Sequence, residues 1–152
     1  MPKFETARRV RHSATDMFEL VADVEKYPGF VPLCKALTVK SRRELDGGKQ
    51  VLVADMTVSY KVIRETFATK VTLDPERCEI LVEYLDGPFR HLENRWTFES
   101  AGENECIVGF YIAYEFRSRL LASVAGAVFD EAFRRFSKAF EARADEVYGV
   151  AT

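Results

Sequence analysis

Residues 105 to 116 read Glu-Cys-Ile-Val-Gly-Phe-Tyr-Ile-Ala-Tyr-Glu-Phe, and they alternate without a break. Cys106, Val108, Phe110, Ile112, Tyr114 and Phe116 share one face, while the opposite face carries the small residues Gly109 and Ala113. A period of two marks a β-strand with one buried side. After Arg117 the period changes. Apolar residues now recur at three- and four-residue steps through Leu121, Val124, Val128, Ala132, Phe136 and Phe140, which predicts a long helix running to about Tyr148. Gly149 is a fitting stop.

Upstream of this junction the chain is strand after strand. Residues 35 to 44 and 49 to 60 flank Leu45-Asp46-Gly47-Gly48, a tight-hairpin signal, and Leu52, Ala54, Met56 and Val58 alternate with a mostly polar face. Residues 61 to 73 continue with Ile63, Phe67, Val71 and Leu73 in register. Beyond the turn Asp74-Pro75-Glu76, strand 77 to 85 puts Cys78, Ile80, Val82 and Tyr84 together. Asp86-Gly87-Pro88 turns the chain into strand 89 to 99, with Leu92, Asn94, Trp96 and Phe98 on one side, and Ala101-Gly102-Glu103-Asn104 closes the next hairpin. Such short connections require antiparallel neighbours, because a parallel crossover takes a dozen or more residues. At the start, residues 3 to 12 read as a strand, followed by a helix near Ala14 capped by Ser13 or Thr15, with Phe18 on its apolar face. Two prolines and a glycine then interrupt a greasy loop, Tyr27-Pro28-Gly29-Phe30-Val31-Pro32-Leu33-Cys34, which must lie against something apolar.

Composition narrows the function. With 47% hydrophobic and 30% charged residues in 152 positions, the chain has the make-up of one globular domain, 1–152, able to bury a core without disulfides. The three cysteines are scattered and odd in number, so neither a disulfide framework nor a zinc site is expected. A net charge of −2 argues against DNA as a partner. No run is long and apolar enough for a spanning helix or a secretory leader, so a cytoplasmic location is expected.

Geometry carries the argument further. A helix about 10 to 12 Å across cannot cover six or seven strands set about 4.8 Å apart, a sheet roughly 25 to 30 Å wide. The expected fold is therefore α+β, with a curved antiparallel sheet of six to seven strands wrapped around the C-terminal helix. Two short N-terminal helices cover the open end, and an apolar hollow remains for a ligand. Its walls are expected from Leu52, Ala54, Met56, Val58, Ile63 and Phe67, then from Ile80, Val82, Tyr84, Leu92 and Trp96. Phe110, Ile112 and Tyr114 complete the sheet side, and Leu121, Val124 and Val128 the helix side. Phe18, Tyr27, Phe30, Val31, Pro32 and Leu33 form the cover. Glu65, on the face of Ile63 and Phe67, is the candidate polar group inside, tolerable if an arginine pairs with it.

The order strand, short helices, six strands, long helix resembles the START-like (helix-grip) superfamily, which belongs with the polyketide cyclases and dehydrases. Within it, Asp23-Val24-Glu25-Lys26-Tyr27-Pro28-Gly29-Phe30-Val31-Pro32-Leu33-Cys34 and Val128-Phe129-Asp130-Glu131-Ala132-Phe133-Arg134-Arg135-Phe136 resemble the coenzyme Q-binding branch, which includes the bacterial ribosome association toxins. The resemblance implies a protein that binds ubiquinone or a similar isoprenoid lipid and supports respiratory electron transport as a carrier. No further cofactor and no catalytic or metal-binding residue is implied. It also implies an alternative, a ribosome-associated regulator of subunit association.

No nucleophile elbow, phosphate-binding glycine loop or metalloprotease helix is present, so a cyclase-type cavity enzyme is the weaker expectation. His91, Glu93 and Arg95 alternate as a solvated strand face would. Phe30 to Leu33 are expected to cover the core and to form an apolar gate touching the inner face of a membrane transiently. Arg8, Arg9, Arg11, Lys35, Lys40, Arg42 and Arg43, interspersed with acids, read as ordinary charged surface or as a patch for headgroups or ribosomal RNA.

Overall fold

The computed structural model describes residues 3–149. Seven strands form one antiparallel sheet: β1 (Lys3–Val10), β2 (Cys34–Glu44), β3 (Gln50–Tyr60), β4 (Ile63–Asp74), β5 (Glu79–Asp86), β6 (Phe89–Gly102) and β7 (Glu105–Phe116). They lie in the order β1-β7-β6-β5-β4-β3-β2, so every neighbour is a hairpin partner except the first pair, in which the N-terminal strand closes against the last. Among the described residues two α-helices accompany the sheet, α1 (Ala14–Ala22) and α2 (Arg119–Tyr148). The α+β helix-grip architecture expected from the sequence is thereby realised, with seven strands.

Local chemistry sets the boundaries. Ser13 caps α1 by accepting a hydrogen bond from the Asp16 amide at 3.1 Å, and Ser118 does the same for the Leu121 amide of α2 at 3.1 Å. In place of a second regular helix, Val24–Gly29 forms a 3-10 turn, since Pro28 and Gly29 do not support a longer element. Strand β1 stops at Val10, two residues short of the expected end. Strand β5 begins at Glu79, because Cys78 adopts a left-handed conformation (φ 52°) that belongs to the preceding turn. Gly87 earns its place: at φ 144° an added Cβ would stand 2.5 Å from Phe67 Cβ.

The core lies between the concave face of the sheet and α2. Val10, Met17, Val21, Leu52, Ile80, Cys106 and Phe140 are sealed from solvent there. Helix α2 buries Ala125, Phe129, Ala132, Ser137, Phe140 and Ala144, a stripe rotated from the expected one over its first turns. Leu121 and Val128 are only half-buried, and Val124 is 55% exposed. The C-terminal half of α2 is tied to the N-terminal elements. Arg8 pairs with Glu141, His12 Nε2 lies 2.7 Å from Asp145 Oδ1, and the Arg134 guanidinium sits 4.7 Å over the Phe4 ring.

Candidate functional site

Between the sheet and α2 lies an apolar cavity of about 80 Å³. Strands β3 to β7 supply one wall: Ala54, Met56 and Val58, then Phe67, Thr69 and Val71, then Ile80 and Val82, then Leu92, Asn94 and Trp96, and finally Ile112. Phe89 lines it at the start of β6. Phe129, Ala132, Phe133, Phe136 and Phe140 of α2 form the opposite wall, and Val24, Tyr27, Pro32, Leu33 and Leu37 close the side.

The space is much smaller than the width of the sheet suggests, because aromatic rings fill it. Trp96 packs edge-on to Phe140 with centroids 4.9 Å apart, Phe133 to Tyr114 at 4.9 Å, and Phe67 to Phe89 at 5.3 Å. Ligand pockets typically run from about 300 to 1,000 Å³. A ligand of ordinary size therefore enters only if some of these rings, or α2 itself, move.

The polar groups along the walls are few and already engaged. Asn94 donates through Nδ2 to the Tyr111 carbonyl at 2.9 Å and accepts from Trp96 Nε1 at 3.1 Å, an exchange that fixes which way the amide points. Thr69 Oγ1 donates to the Ala54 carbonyl at 3.5 Å. The Tyr27 hydroxyl donates to the Val21 carbonyl, and burial raises its pKa far above the ordinary phenol value. Beside the same loop, burial pushes the Cys34 thiol up to about 11. Among the described residues no carboxylate, imidazole, amine or guanidinium lines the cavity. Among the described residues no cluster of His, Cys, Asp and Glu is suited to a metal ion, and no helix is long and apolar enough to cross a membrane.

The structure divides the residues singled out from the sequence. It brings together Tyr27, Pro32, Leu33, Ala54, Met56 and Val58 along the cavity, with Phe67, Ile80, Val82, Leu92, Trp96 and Ile112. The others lie elsewhere. Phe18 packs on Phe98 beneath α1, and Leu52 and Phe110 are solid core, Phe110 edge-on to Trp96. Tyr84 and Tyr114 stand behind the lining against Phe89, and Ile63 is half-buried at the start of β4. Phe30 turns its ring onto Tyr27 and Phe140, and Val31 is buried. The loop is thus cover for the core, with Val31 buried and Phe30, Pro32 and Leu33 half-buried. Leu33, at φ 66°, is pinned to the sheet by a 3.0 Å bond from the Ser59 amide to its carbonyl.

Glu65 also departs from expectation. It sits outside the cavity in a surface crevice with Gly87, Pro88 and Arg117, which Leu121 and Val124 also line. Among the described residues it has no ion-pair partner. Val128 falls outside both spaces. Conversely, the α2 wall of Phe129, Phe133, Phe136 and Phe140 was not among the predicted site residues. Its signal was the spacing of those four phenylalanines, four, three and four residues apart.

Comparison with known proteins agrees with this architecture. Residues 10–141 match the family described as polyketide cyclase / dehydrase and lipid transport. The ribosome association toxin RatA of Escherichia coli strain K12 is 34% identical over 150 residues, covering 99% of this chain and 91% of the toxin. The mitochondrial coenzyme Q-binding protein COQ10 homolog B of Xenopus laevis is 29% identical over 151 residues, covering 97% of this chain and 59% of that protein. The solution structure of an 18 kDa protein from Caulobacter crescentus superposes with a TM-score of 0.79 at 34% identity, over 99% of this chain and 100% of that one. A START superfamily protein from Mycobacterium smegmatis shares the fold with a TM-score of 0.78 at 19% identity, over 95% of this chain and 98% of that one. With a seven-stranded sheet gripping one long helix, and with relatives named for ribosome association and for coenzyme Q binding, this chain belongs to the polyketide cyclase/dehydrase and lipid transport family.

Proposed function

We propose that the protein binds an isoprenoid quinone, ubiquinone in the first instance, between the sheet and α2, and carries it in support of respiratory electron transport without chemistry of its own. The observation that carries this reading is the lining: a continuous wall of aliphatic and aromatic side chains with no group able to take or give a proton near neutral pH. Each buried methylene of a polyprenyl tail contributes roughly 0.8 kcal/mol, so apolar contact alone supplies ample affinity once the rings yield. Asn94 is the natural partner for the quinone ring. One of its amide N–H groups is spent on the Tyr111 carbonyl, and the second is free to meet a ring carbonyl.

The chain has one tryptophan, and Trp96 stands in the wall, so a bound quinone quenches its emission. Titration with a short-chain ubiquinone should give saturable quenching, and organic extracts of protein loaded with quinone should return it. Absence of both would defeat the reading.

A second reading draws on the 34% identity to the ribosome association toxin across almost its whole length. On it, the same domain acts on the large ribosomal subunit. Cosedimentation with that subunit and growth arrest on overexpression would favour it. Clean separation from ribosomes at low salt would count against it.

A further inference from the structure

The greasiest exposed surface of the molecule lies away from the loop of Phe30 to Leu33. Val62 is 97% exposed at the tip of the β3–β4 hairpin, Leu120 is 73% exposed in the first turn of α2, and Val124 and Leu85 are at least half exposed. These residues belong to one end of the fold. The crevice that contains Leu120 and Val124 is completed by Glu65 and Thr66 of β4 and by Gly87 and Pro88, so the chain three residues beyond Val62 and two beyond Leu85, near the end of β5, stands beside the start of α2. Turn chemistry does not account for the hairpin tip. A two-residue hairpin favours Asn-Gly, yet here Lys61 takes a left-handed φ of 55° and an apolar valine follows it into solvent.

Charge at this end runs against that of the whole chain. Arg117 and Glu65 share the crevice with Leu120 and Val124, Lys61 and Arg64 flank Val62 along the chain, Arg119 precedes Leu120 and Asp86 follows Leu85, whereas the full chain carries a net charge of −2. The Lys61 ammonium lies 5.3 Å over the Tyr60 ring, an aromatic and cation set side by side at the same tip. Exposed aliphatic groups accompanied by basic side chains match a bilayer surface with anionic headgroups: the aliphatic groups enter the acyl boundary and the cations meet the phosphates.

We propose that the β3–β4 hairpin tip and the first two turns of α2 form a docking rim for an anionic lipid surface. The proposal goes beyond the quinone reading and does not depend on what the cavity holds. It is tested by flotation of the full-length protein with quinone-free vesicles, made either of phosphatidylcholine alone or of equal parts phosphatidylcholine and phosphatidylglycerol. Wild type floats with the anionic vesicles and detaches as salt is raised, because the attraction is screened. The double variant Val62→Asp/Leu120→Asp loses at least about tenfold in partitioning while its circular dichroism is unchanged, since both positions are exposed. The charge variant Lys61→Glu/Arg119→Glu abolishes the preference for phosphatidylglycerol.

Three results would overturn the proposal. One is equal flotation of wild type and both variants. Another is sedimentation showing that the rim is buried in a dimer of the chain which Val62→Asp/Leu120→Asp dissociates. The third is loss of ribosome cosedimentation in these variants with vesicle binding untouched. Retained Trp96 quenching by quinone in the rim variants is expected, and it keeps the two readings separable.

Discussion

Substituting Ala132 by leucine probes the cavity from its helix side. Ala132 lines the space and is 6% exposed, and leucine suits a helix as well as alanine nearly does. An apolar void costs about 24 cal/mol per Å³, so leaving 80 Å³ empty costs the lipid-free protein about 2 kcal/mol. Three added carbons contribute about 2.4 kcal/mol of burial, against a repacking cost of about 1 kcal/mol or more. Ala132→Leu is therefore expected to raise the stability of the lipid-free protein by about 1 kcal/mol, seen as a higher urea midpoint and a melting temperature up by about 2 to 4 °C. The same side chain occupies the ligand's place, so Trp96 quenching by a short-chain ubiquinone should weaken at least about tenfold, equivalent to about 1.4 kcal/mol. Ala125→Leu is the control, because Ala125 is fully buried without lining the cavity, and overpacking there should destabilise by about 1 to 3 kcal/mol. If Ala132→Leu loses more than about 1 kcal/mol, the void reasoning fails. If it gains stability and still binds quinone as wild type does, the ligand lies elsewhere.

Three further outcomes are expected. Gly87→Ala forces a Cβ to within 2.5 Å of Phe67 Cβ and 2.9 Å of its Cα, and should cost about 2 to 3 kcal/mol in urea unfolding, since backbone as well as side chain must shift. Tyr27→Phe removes the donor to the Val21 carbonyl and should cost about 1 kcal/mol by the same assay. Burial raises the Cys34 and Cys106 thiols from 9.0 to about 11, so the stability they contribute is fully present below pH 9 and is lost as pH climbs toward 11. Urea midpoints across that window should fall, and the fall should be shallower in Cys34→Ala.

Most of the sheet could be read from the chain because two independent signals coincide there. In β7 the alternation from Cys106 to Phe116 and the turn at Gly102-Glu103-Asn104 agree on face and boundary. Helix α2 was legible in extent and in its C-terminal face, where Phe136 and Phe140 alternate with charged residues. Its first turns were not. From Leu120 to Phe129 apolar side chains occur almost all round, so periodicity selects no phase, and packing alone decides that Ala125 and Phe129 face inward. Glu65 shares the inward parity of Phe67, but strand parity does not reveal where the cavity ends. The size of the cavity was likewise beyond the sequence. Counting strands measures the width to be covered, whereas the rotamers of Trp96, Phe133 and Phe140 determine how much of it stays empty.

The pairing of β1 with β7 joins residues about 100 positions apart, from Lys3 opposite Ala113 to Val10 opposite Cys106. At translation speeds of about 5 to 20 residues per second, the first strand waits roughly 5 to 20 s before its partner has been made. During that interval the β2 to β6 meander can zip hairpin by hairpin, but the leading segment has nothing native to bind. Completion is consequently a late, long-range event of the slow kind that high contact order imposes. A nascent chain halted before Glu105 should leave Phe4 and Val10 open to protease, however well the middle of the sheet has formed.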